Sequence, residues 1–249
     1  MARAIRPKGM DTDPWTVLET LNPDIALLQE AKVPPSTFGG HFHMVNTNRG
    51  WGTAIWSKYP FSWTGNFPNG SESLNEKIKE ALAGYVASAV IGLSSSCSLS
   101  VTSVHAYPAA VKKQYLEDFP IESVKLPSES NVWPGDLIWW STRFLPSEGG
   151  SFILGGDWNT SLLFDKVYGP RGNAEFFARM RDTGWYTAMK KFHETEVQTY
   201  YSPGKGPYQL DHVFLTSDLY DGLKTAEVLP TPKVLSTSDH APIVLEIMV

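Results

Sequence analysis

The stretch SFILGGDWN, residues 151–159, combines an apolar run, a pair of glycines and two polar side chains. A short apolar run that meets a glycine turn is typical of a buried strand. The strand should therefore end near Asp157 and Asn159, and the sequence predicts that it delivers both side chains to the rim of a sheet. Gly155 and Gly156 are expected to form the tight turn that lets Asp157 reach this rim.

Working outward, four other segments end an apolar strand in a polar side chain. They are LLQE ending at Glu30, VTSVH ending at His105, QLDH with Asp211, and TSDH with Asp239 and His240. Each alone has a common structural explanation, such as a solvated glutamate, a turn or a packed histidine. Because strand ends that share one rim can converge on a pocket, their combination favours a functional site.

The composition bounds the possible classes of protein. The chain has 249 residues, of which 42% are hydrophobic and 19% charged, so we predict a folded protein. No internal repeat or linker is visible, and we predict a single domain over residues 1–249 with an atypical start over residues 1–12. The net charge of −5 and the scattered basic residues disfavour strong, sequence-independent binding to duplex DNA.

Cysteine usage and hydropathy add further expectations. Cys97 is the only cysteine, so neither an intrachain disulfide nor a cysteine-rich metal site can form. The first residues, MARAIRPKGM, lack the apolar core of a secretory signal, and no apolar run approaches the roughly 20 residues of a membrane span. We expect a monomer without a membrane span, located in the cytoplasm.

The hydrophobic pattern predicts an order rich in strands with a few helices between them. Predicted strands cover residues 24–30, 51–58, 83–93, 98–107, 151–159, 208–216 and 241–249, the third and fourth as an antiparallel pair. Predicted helices start at Pro14 with Asp13 as cap and cover 136–145 and 173–185, whereas 65–80 and 108–134 are expected as loops. This order favours two packed sheets with helices outside.

The ordered set LLQE, WGTAIWSK, VTSVH, GGDWN, LDHVF and SDHAPIV resembles the endonuclease/exonuclease/phosphatase superfamily. That superfamily includes DNase I-like nucleases, abasic-site endonucleases, sphingomyelinases and inositol-polyphosphate phosphatases. The resemblance runs from about Asp13 to the C-terminus. It implies an α+β fold, a four-layer α/β/β/α sandwich of two packed, mainly antiparallel sheets with helices outside. It also implies metal-dependent hydrolysis of a phosphodiester.

The resemblance also implies a metal site. Glu30 is similar to the principal Mg²⁺ ligand of the family, and Asp239 to the aspartate that helps to hold the metal or its waters. The chemistry agrees, because hard oxygen ligands suit Mg²⁺ or Mn²⁺ and a divalent cation offsets the negative charge of the transition state. Neither residue is the soft ligand that zinc prefers.

Catalytic roles follow from the same resemblance. Asp157 resembles the residue that activates the attacking water, and Asn159 the one that positions this water or the phosphate. His240 resembles the imidazole that contacts the scissile phosphate, with Asp211 as the carboxylate that orients it. His105 lies where the nuclease and sphingomyelinase branches place a second histidine, whereas abasic endonucleases tend to use a tyrosine there.

Three questions stay open at this point. The family normally opens with a strand that ends in a metal-binding asparagine, and MARAIRPKGMDT lacks this asparagine. The alternative to an active hydrolase is therefore a binding or regulatory module with weak or no catalytic activity. The phosphoester substrate can be nucleic acid, phospholipid or a small molecule, and the acidic charge favours the small or lipid-linked kinds. Aromatic side chains before and within the second predicted helix can stack bases, contact lipid or pack: Tyr107, Trp133, Trp139 and Trp140.

Overall fold

The computed structural model describes residues 14–47, 49–69, 74–169 and 171–249. Its strands are β1 (Ile25–Ala31), β2 (His41–Asn46), β3 (Gly52–Ser57), β4 (Phe61–Gly65), β5 (Val86–Gly92), β6 (Ser98–His105), β7 (Phe152–Asp157), β8 (Tyr186–Thr187), β9 (Asp211–Leu215), β10 (Leu223–Val228) and β11 (Ile243–Ile247). Its helices are α1 (Pro14–Leu21), α2 (Glu76–Ala81), α3 (Ile121–Val124), α4 (Pro134–Thr142), α5 (Leu145–Glu148), α6 (Leu162–Tyr168), α7 (Asn173–Asp182), α8 (Ser217–Gly222) and α9 (Pro232–Leu235). The atypical start expected over residues 1–12 and the cap at Asp13 lie outside the described residues.

A six-stranded sheet in the order β4-β5-β6-β7-β9-β8 forms the central layer. Neighbouring strands run antiparallel except β6 and β7, which run parallel. The predicted antiparallel pair over residues 83–93 and 98–107 is confirmed as β5 and β6. Because β6 and β7 are parallel and β9 is antiparallel to them, the last residues of β6 and β7 lie beside the first residue of β9.

A second layer of strands packs on one face of the central sheet. It consists of an antiparallel sheet in the order β1-β3-β2 and an antiparallel β10-β11 pair. The two parts share one apolar core with the central sheet, in which Ile55 of β3 and Ala226 of β10 are buried with Leu215 of β9. Burial of this apolar surface on both sides holds the two layers together.

Helices cover the outer faces of both layers. On the free face of the central sheet, Leu137 and Ile138 of α4 and Met180 of α7 are fully buried in a second core. On the far side, the ring of Trp15 in α1 lies 5.7 Å from that of Phe42 in β2. The order is therefore helix, sheet, sheet, helix, and the predicted four-layer α/β/β/α sandwich is confirmed.

The aromatic residues of α4 are packing residues. Trp139 is buried in the core under the central sheet, and Trp140 packs against the same core. For Trp139 and Trp140, the structure thus confirms packing among the three roles that the sequence left open. The described residues contain no helix with the length and apolarity that crossing a bilayer requires.

Several short elements were not predicted. The expected loop over residues 65–80 contains helix α2, which Asn75 caps by accepting a hydrogen bond from the backbone N–H of Ile78 at 2.9 Å. Strands β2 and β10 and helix α6 were also missed. Their positions follow from packing on neighbouring elements, because segments of six or seven residues are too short for a periodic pattern to decide.

The glycine pair in front of Asp157 has a different role from the one predicted. Gly155 and Gly156 lie inside β7 and do not form a turn. A Cβ atom on Gly155 would lie 2.8 Å from Leu27 Cδ1, and one on Gly156, whose φ is +142°, would lie 2.1 Å from a backbone carbonyl oxygen and 2.6 Å from Gln29 Nε2. The missing side chains let β1 approach β7 closely, which brings the end of β1 to the rim where Asp157 lies.

Gly156→Ala should therefore crowd both the backbone of β6 at Val104 and the side chain of Gln29 in β1, and it should destabilise the protein. We expect a loss of about 3 kcal/mol in the free energy of unfolding, from backbone strain and overpacking together. Urea denaturation measures it. Gly92→Ala in β5, where a Cβ would meet nothing within 4 Å, is the matched control and should change stability little. Equal effects of the two substitutions would contradict the close approach of β1.

Candidate active site

Three of the predicted site residues form one row across the central sheet. His105, the last residue of β6, pairs with Asp157, the last residue of β7, and Asp157 pairs with Asp211, the first residue of β9. Directly opposed residues on neighbouring strands project from the same face. The strand register thus places an imidazole and two carboxylates side by side at one rim of the central sheet.

His240 reaches this row from the loop before β11. The prediction that Asp211, Asp239 and His240 end strands was therefore wrong, since Asp211 begins β9 and the other two precede β11. The loop is tied to the segment before β9, because the N–H of Tyr201 donates to the Asp239 carbonyl at 2.7 Å and the N–H of Ala241 to the Thr199 carbonyl at 2.8 Å. His240 Nδ1 then lies 2.8 Å from Asp211 Oδ2. A carboxylate at this nitrogen fixes the tautomer and leaves Nε2 to face the site.

The His240–Asp211 contact has a strong electrostatic effect. Burial lowers the pKa of His240, but the charge of Asp211 and the hydrogen bond to it outweigh burial and raise the pKa to about 10. Burial likewise raises the pKa of Asp211, and the opposing charge and hydrogen bond of His240 hold that pKa below its usual range. The pair is therefore an imidazolium and a carboxylate at neutral pH.

Asp157 is held by its neighbour Asn159. The backbone N–H of Asn159 donates to Asp157 Oδ1 at 2.9 Å, and its side-chain amide donates to Oδ2 at 2.8 Å. Burial and the nearby charge of Asp211 raise the pKa of Asp157 to about 7. The possible ligand atoms of Asp157, Asp211 and His240 lie within 4.8 Å of one another, so these three side chains share one site.

Glu30 and Asp239 stand outside that tight group of three but act on it through their charges. Glu30 is solvent-exposed at the end of β1, where a register shift between Leu28 and Ala31 interrupts pairing with β3. Although the residue as a whole is exposed, its carboxyl group is partly buried, and this partial burial raises the pKa of Glu30. The charge of His240 opposes this increase, and the charge of Asp239 adds to it.

The backbone is strained at two of the site residues. Glu30 has φ of 51° and Asn159 has φ of 47°, in the left-handed region that residues with a side chain seldom adopt. Among the described residues only Asn22 and Asp118 share this property without being glycine. Strain of this kind persists where the surroundings impose it, and it is common at functional sites.

The donor set fits a hard divalent cation. The carboxyl groups of Asp157 and Asp211 lie in one group with His240, and Glu30 and Asp239 add negative charge to it. Mutual repulsion contributes to the raised pKa values of Glu30 and Asp157. Carboxylate oxygens are the ligands that Mg²⁺ and Mn²⁺ prefer, and a cation would relieve this repulsion.

His105 occupies the end of the row in an aromatic setting. Its Nε2 lies 3.8 Å from Asp157 Oδ2, which is longer than a hydrogen bond, and its buried Nδ1 has no hydrogen-bond partner among the described residues. The rings of Trp51 and Tyr85 lie 5.6 and 5.5 Å from its ring. Burial and the charge of His240 lower the pKa of His105 to about 4, so its imidazole is neutral at pH 7.

His212 points away from the site, as the alternation along β9 predicts. Its Nε2 lies 2.9 Å from the Thr160 carbonyl oxygen, its Nδ1 lies 3.1 Å from Gln209 Nε2, and its ring packs 4.8 Å from that of Phe177 in α7. This histidine is fully buried, and its contacts are those of a structural residue.

Thr199 supports the site and was not found from the sequence. Its side chain is completely buried, and its hydroxyl oxygen accepts hydrogen bonds from the N–H groups of Leu210 at 3.0 Å and Asp211 at 3.1 Å. Its carbonyl oxygen holds the residue after His240, as described above. Thr199 therefore connects both members of the His240–Asp211 pair. The segment QTYYSP shows no strand or helix pattern that would have marked it.

Comparisons with known proteins identify the family and the fold of this chain. A model described as the Endonuclease/Exonuclease/phosphatase family matches residues 15–240. An AP endonuclease from Archaeoglobus fulgidus has a TM-score of 0.66 at 17% identity, over 95% of this chain and 93% of that one. The APE2 catalytic domain of Xenopus laevis has a TM-score of 0.65 at 16% identity, over 93% and 85%.

A 3′ phosphatase from Neisseria, bound to a product DNA hairpin, has a TM-score of 0.61 at 18% identity, over 94% of this chain and 92% of that one. At such identities these three likenesses show the fold, which is DNase I-like. A comparison with curated proteins gives no match.

The His240–Asp211 pair should make stability depend on pH in a defined direction. Because the pKa of His240 is raised in the folded state, its contribution is complete below the ordinary histidine pKa of about 6.5 and is lost as pH rises through about 10. Asp211→Asn should lower the free energy of unfolding by about 2 kcal/mol at pH 6. This is less than the usual cost of breaking a buried ion pair, because His240 can lose its proton and so avoid an unpaired buried charge.

The difference between the wild-type protein and Asp211→Asn should then shrink between pH 8 and pH 10. Urea denaturation over this range, in EDTA, measures it. A difference that stays constant with pH would show that no charge pair forms.

Thr199→Val should leave two buried N–H groups without an acceptor. We expect a loss of about 2 kcal/mol in unfolding free energy, the cost of an unsatisfied buried group. Thr199→Ser keeps the hydroxyl oxygen and should lose less than half of that. If valine and serine were equally tolerated, the hydroxyl would not be holding the start of β9.

Proposed function

The chain belongs to the endonuclease/exonuclease/phosphatase family, and on that premise we propose that it is a Mg²⁺-dependent phosphodiesterase. The observation that supports this most directly is the close grouping of Asp157, Asp211 and His240 within 4.8 Å. It unites a carboxyl group with a pKa near neutrality and an imidazolium on one rim, and these are the proton acceptor and the cationic donor that phosphodiester hydrolysis uses.

Glu30 and Asp239 are the residues we propose to hold the metal ion, with Mn²⁺ as a substitute for Mg²⁺. Both are carboxylates near His240, and each adds negative charge to the site. When bound, a divalent cation would offset the negative charge that develops on the phosphoryl oxygens.

Asp157 is the proposed general base. A carboxyl group with a pKa of about 7 can take a proton from water near neutral pH. The two hydrogen bonds from Asn159 fix the orientation of this carboxylate. Water then attacks phosphorus as Asp157 takes its proton, and the P–O bond to the leaving group breaks. Asn159 thus acts mainly through Asp157.

His240 is the proposed donor to the phosphate. Asp211 occupies Nδ1 and keeps the ring protonated, so Nε2–H can donate to a phosphoryl oxygen that gains charge in the transition state. His105 is neutral and buried at the opposite end of the row. We propose that its Nε2 donates to another oxygen of the same phosphate.

The substrate class is proposed more broadly. The neighbours named above include an AP endonuclease and a 3′ phosphatase bound to DNA, which favours nucleic acid as the first substrate to test. The net charge of −5 favours short or single-stranded substrates over long duplexes. Phospholipid and inositol phosphate diesters complete the panel.

The test is hydrolysis of bis-p-nitrophenyl phosphate with Mg²⁺, with Mn²⁺ and with EDTA. We expect turnover with either metal, its loss in EDTA and its return with excess Mg²⁺. Asp157→Asn and His240→Gln should each lower kcat at least about 100-fold, the usual effect of removing an acid–base group. Asp182→Asn, which changes an exposed carboxylate at the end of α7, is the control and should behave like the wild-type protein.

The same experiment separates the two hypotheses about this fold. Turnover that persists in EDTA or in Asp157→Asn would contradict the proposed metal-dependent mechanism. Absence of turnover with every metal and every substrate of the panel would favour the catalytically weak binding module.

A further inference from the structure

A group of aromatic rings adjoins the row of polar residues and takes no part in the chemistry proposed above. Trp51 precedes β3, Tyr85 precedes β5, and Tyr107 follows β6 by two residues. Their ring centroids are 5.9 Å apart for Trp51 and Tyr85 and 4.7 Å apart for Tyr85 and Tyr107. Trp51 and Tyr85 also contact the ring of His105. We call Trp51, Tyr85 and Tyr107 the aromatic ledge.

The ledge is firmly held by the backbone beneath it. The carbonyl oxygen of Trp51 accepts hydrogen bonds from the N–H and hydroxyl of Thr47 at 2.8 and 2.6 Å. Thr53 donates its hydroxyl to the carbonyl of Gly84, next to Tyr85, at 2.9 Å. Trp51 and Tyr85 are thus fixed before a ligand arrives, which lowers the entropy cost of binding on them.

The ledge is exposed where its neighbours are not. All six residues of β3, which follows Trp51, are buried, whereas Trp51, Tyr85 and Tyr107 are each partly exposed. The ledge carries no charge at neutral pH, because its rings are indole and phenol. An uncharged aromatic surface beside a charged site suits an uncharged, flat group of the ligand.

We propose that the aromatic ledge binds a nucleobase of the substrate by stacking, chiefly on Trp51. This rests on the proposed function, which places the scissile phosphate at Asp157 and His240. His105 contacts both the ledge and the polar row, so a ring on Trp51 would belong to a nucleoside attached to that phosphate. The ledge would thereby select nucleotide diesters over diesters without a base.

The arrangement of the rings favours a base over a choline group. A quaternary ammonium ion is bound by aromatic rings that surround it. Here the rings contact one another at interplanar angles of 56° to 77° along the ledge, which leaves no space between them for such an ion. A planar ring, in contrast, can stack on the exposed part of a single aromatic side chain.

The first test compares diesters that share p-nitrophenol as leaving group. They are the 3′- and 5′-p-nitrophenyl phosphates of thymidine, methyl p-nitrophenyl phosphate and p-nitrophenylphosphorylcholine. We expect kcat/KM for the better thymidine diester to exceed that for the methyl diester about ten-fold, mainly through KM. In Trp51→Leu this ratio should fall close to one, and in Trp51→Phe, which keeps an aromatic face, most of it should remain.

Tyr186→Leu is the matched control. Tyr186 is also a partly exposed aromatic residue, but it pairs with Leu215 at the opposite end of β9 from Asp211. Its replacement should leave the ratio unchanged. A wild-type ratio near one, or a ratio equal in Trp51→Leu and the wild-type protein, would overturn the proposal. A Trp51-dependent preference for the choline diester over the thymidine diesters would overturn it in favour of a phospholipid headgroup.

The second test needs no turnover. In EDTA, thymidine 5′-monophosphate should shift the indole N–H resonance of Trp51, identified as the one missing from the spectrum of Trp51→Leu, and deoxyribose 5-phosphate should not. An unmoved resonance at millimolar nucleotide would overturn the proposal whatever the hydrolysis data show. If no diester is hydrolysed but the resonance shifts, the proposed function fails and the nucleobase site stands.

Discussion

The register of β6, β7 and β9 is the constraint on which the candidate site depends. It sets His105, Asp157 and Asp211 directly opposite one another at one rim of the central sheet. Since side chains alternate between faces along a strand, a slip of one residue in either pairing would turn one of these three side chains to the other face. The buried side chains of the two cores, which line both faces of these strands, oppose such a slip.

Bringing several carboxyl groups together has an electrostatic cost, and two neighbouring residues reduce it. His240 contributes a positive charge that keeps Asp211 ionised. Asn159 donates both of its N–H groups to Asp157. The remaining repulsion appears as the raised pKa values of Asp157 and Glu30, and a bound divalent cation would relieve it.

The supporting residues show how irregular segments can be as rigid as strands. Thr199 lies in a stretch without a strand, yet its hydroxyl and carbonyl groups connect the start of β9 to the loop that carries His240. Thr47 and Gly84 hold Trp51 and Tyr85 in a comparable way. Local hydrogen bonds to side-chain and backbone oxygens thus give loops defined positions near the site.

The sequence by itself determined the layer type, and it proposed the residues of the candidate site because GGDWN, LDHVF and SDHAPIV place polar side chains next to apolar strand segments. Alternation along β9, which is a local property of a strand, accounts for the position of His212 on the far face of that strand. The sequence did not predict short elements such as β2 and α2, nor the hydrogen bonds by which Thr199 supports the site. The glycines before Asp157 were assigned to a turn, whereas in the structure their lack of a side chain leaves room for Leu27 and Gln29. These features depend on residues distant in the chain, and only the tertiary structure decides which of them meet.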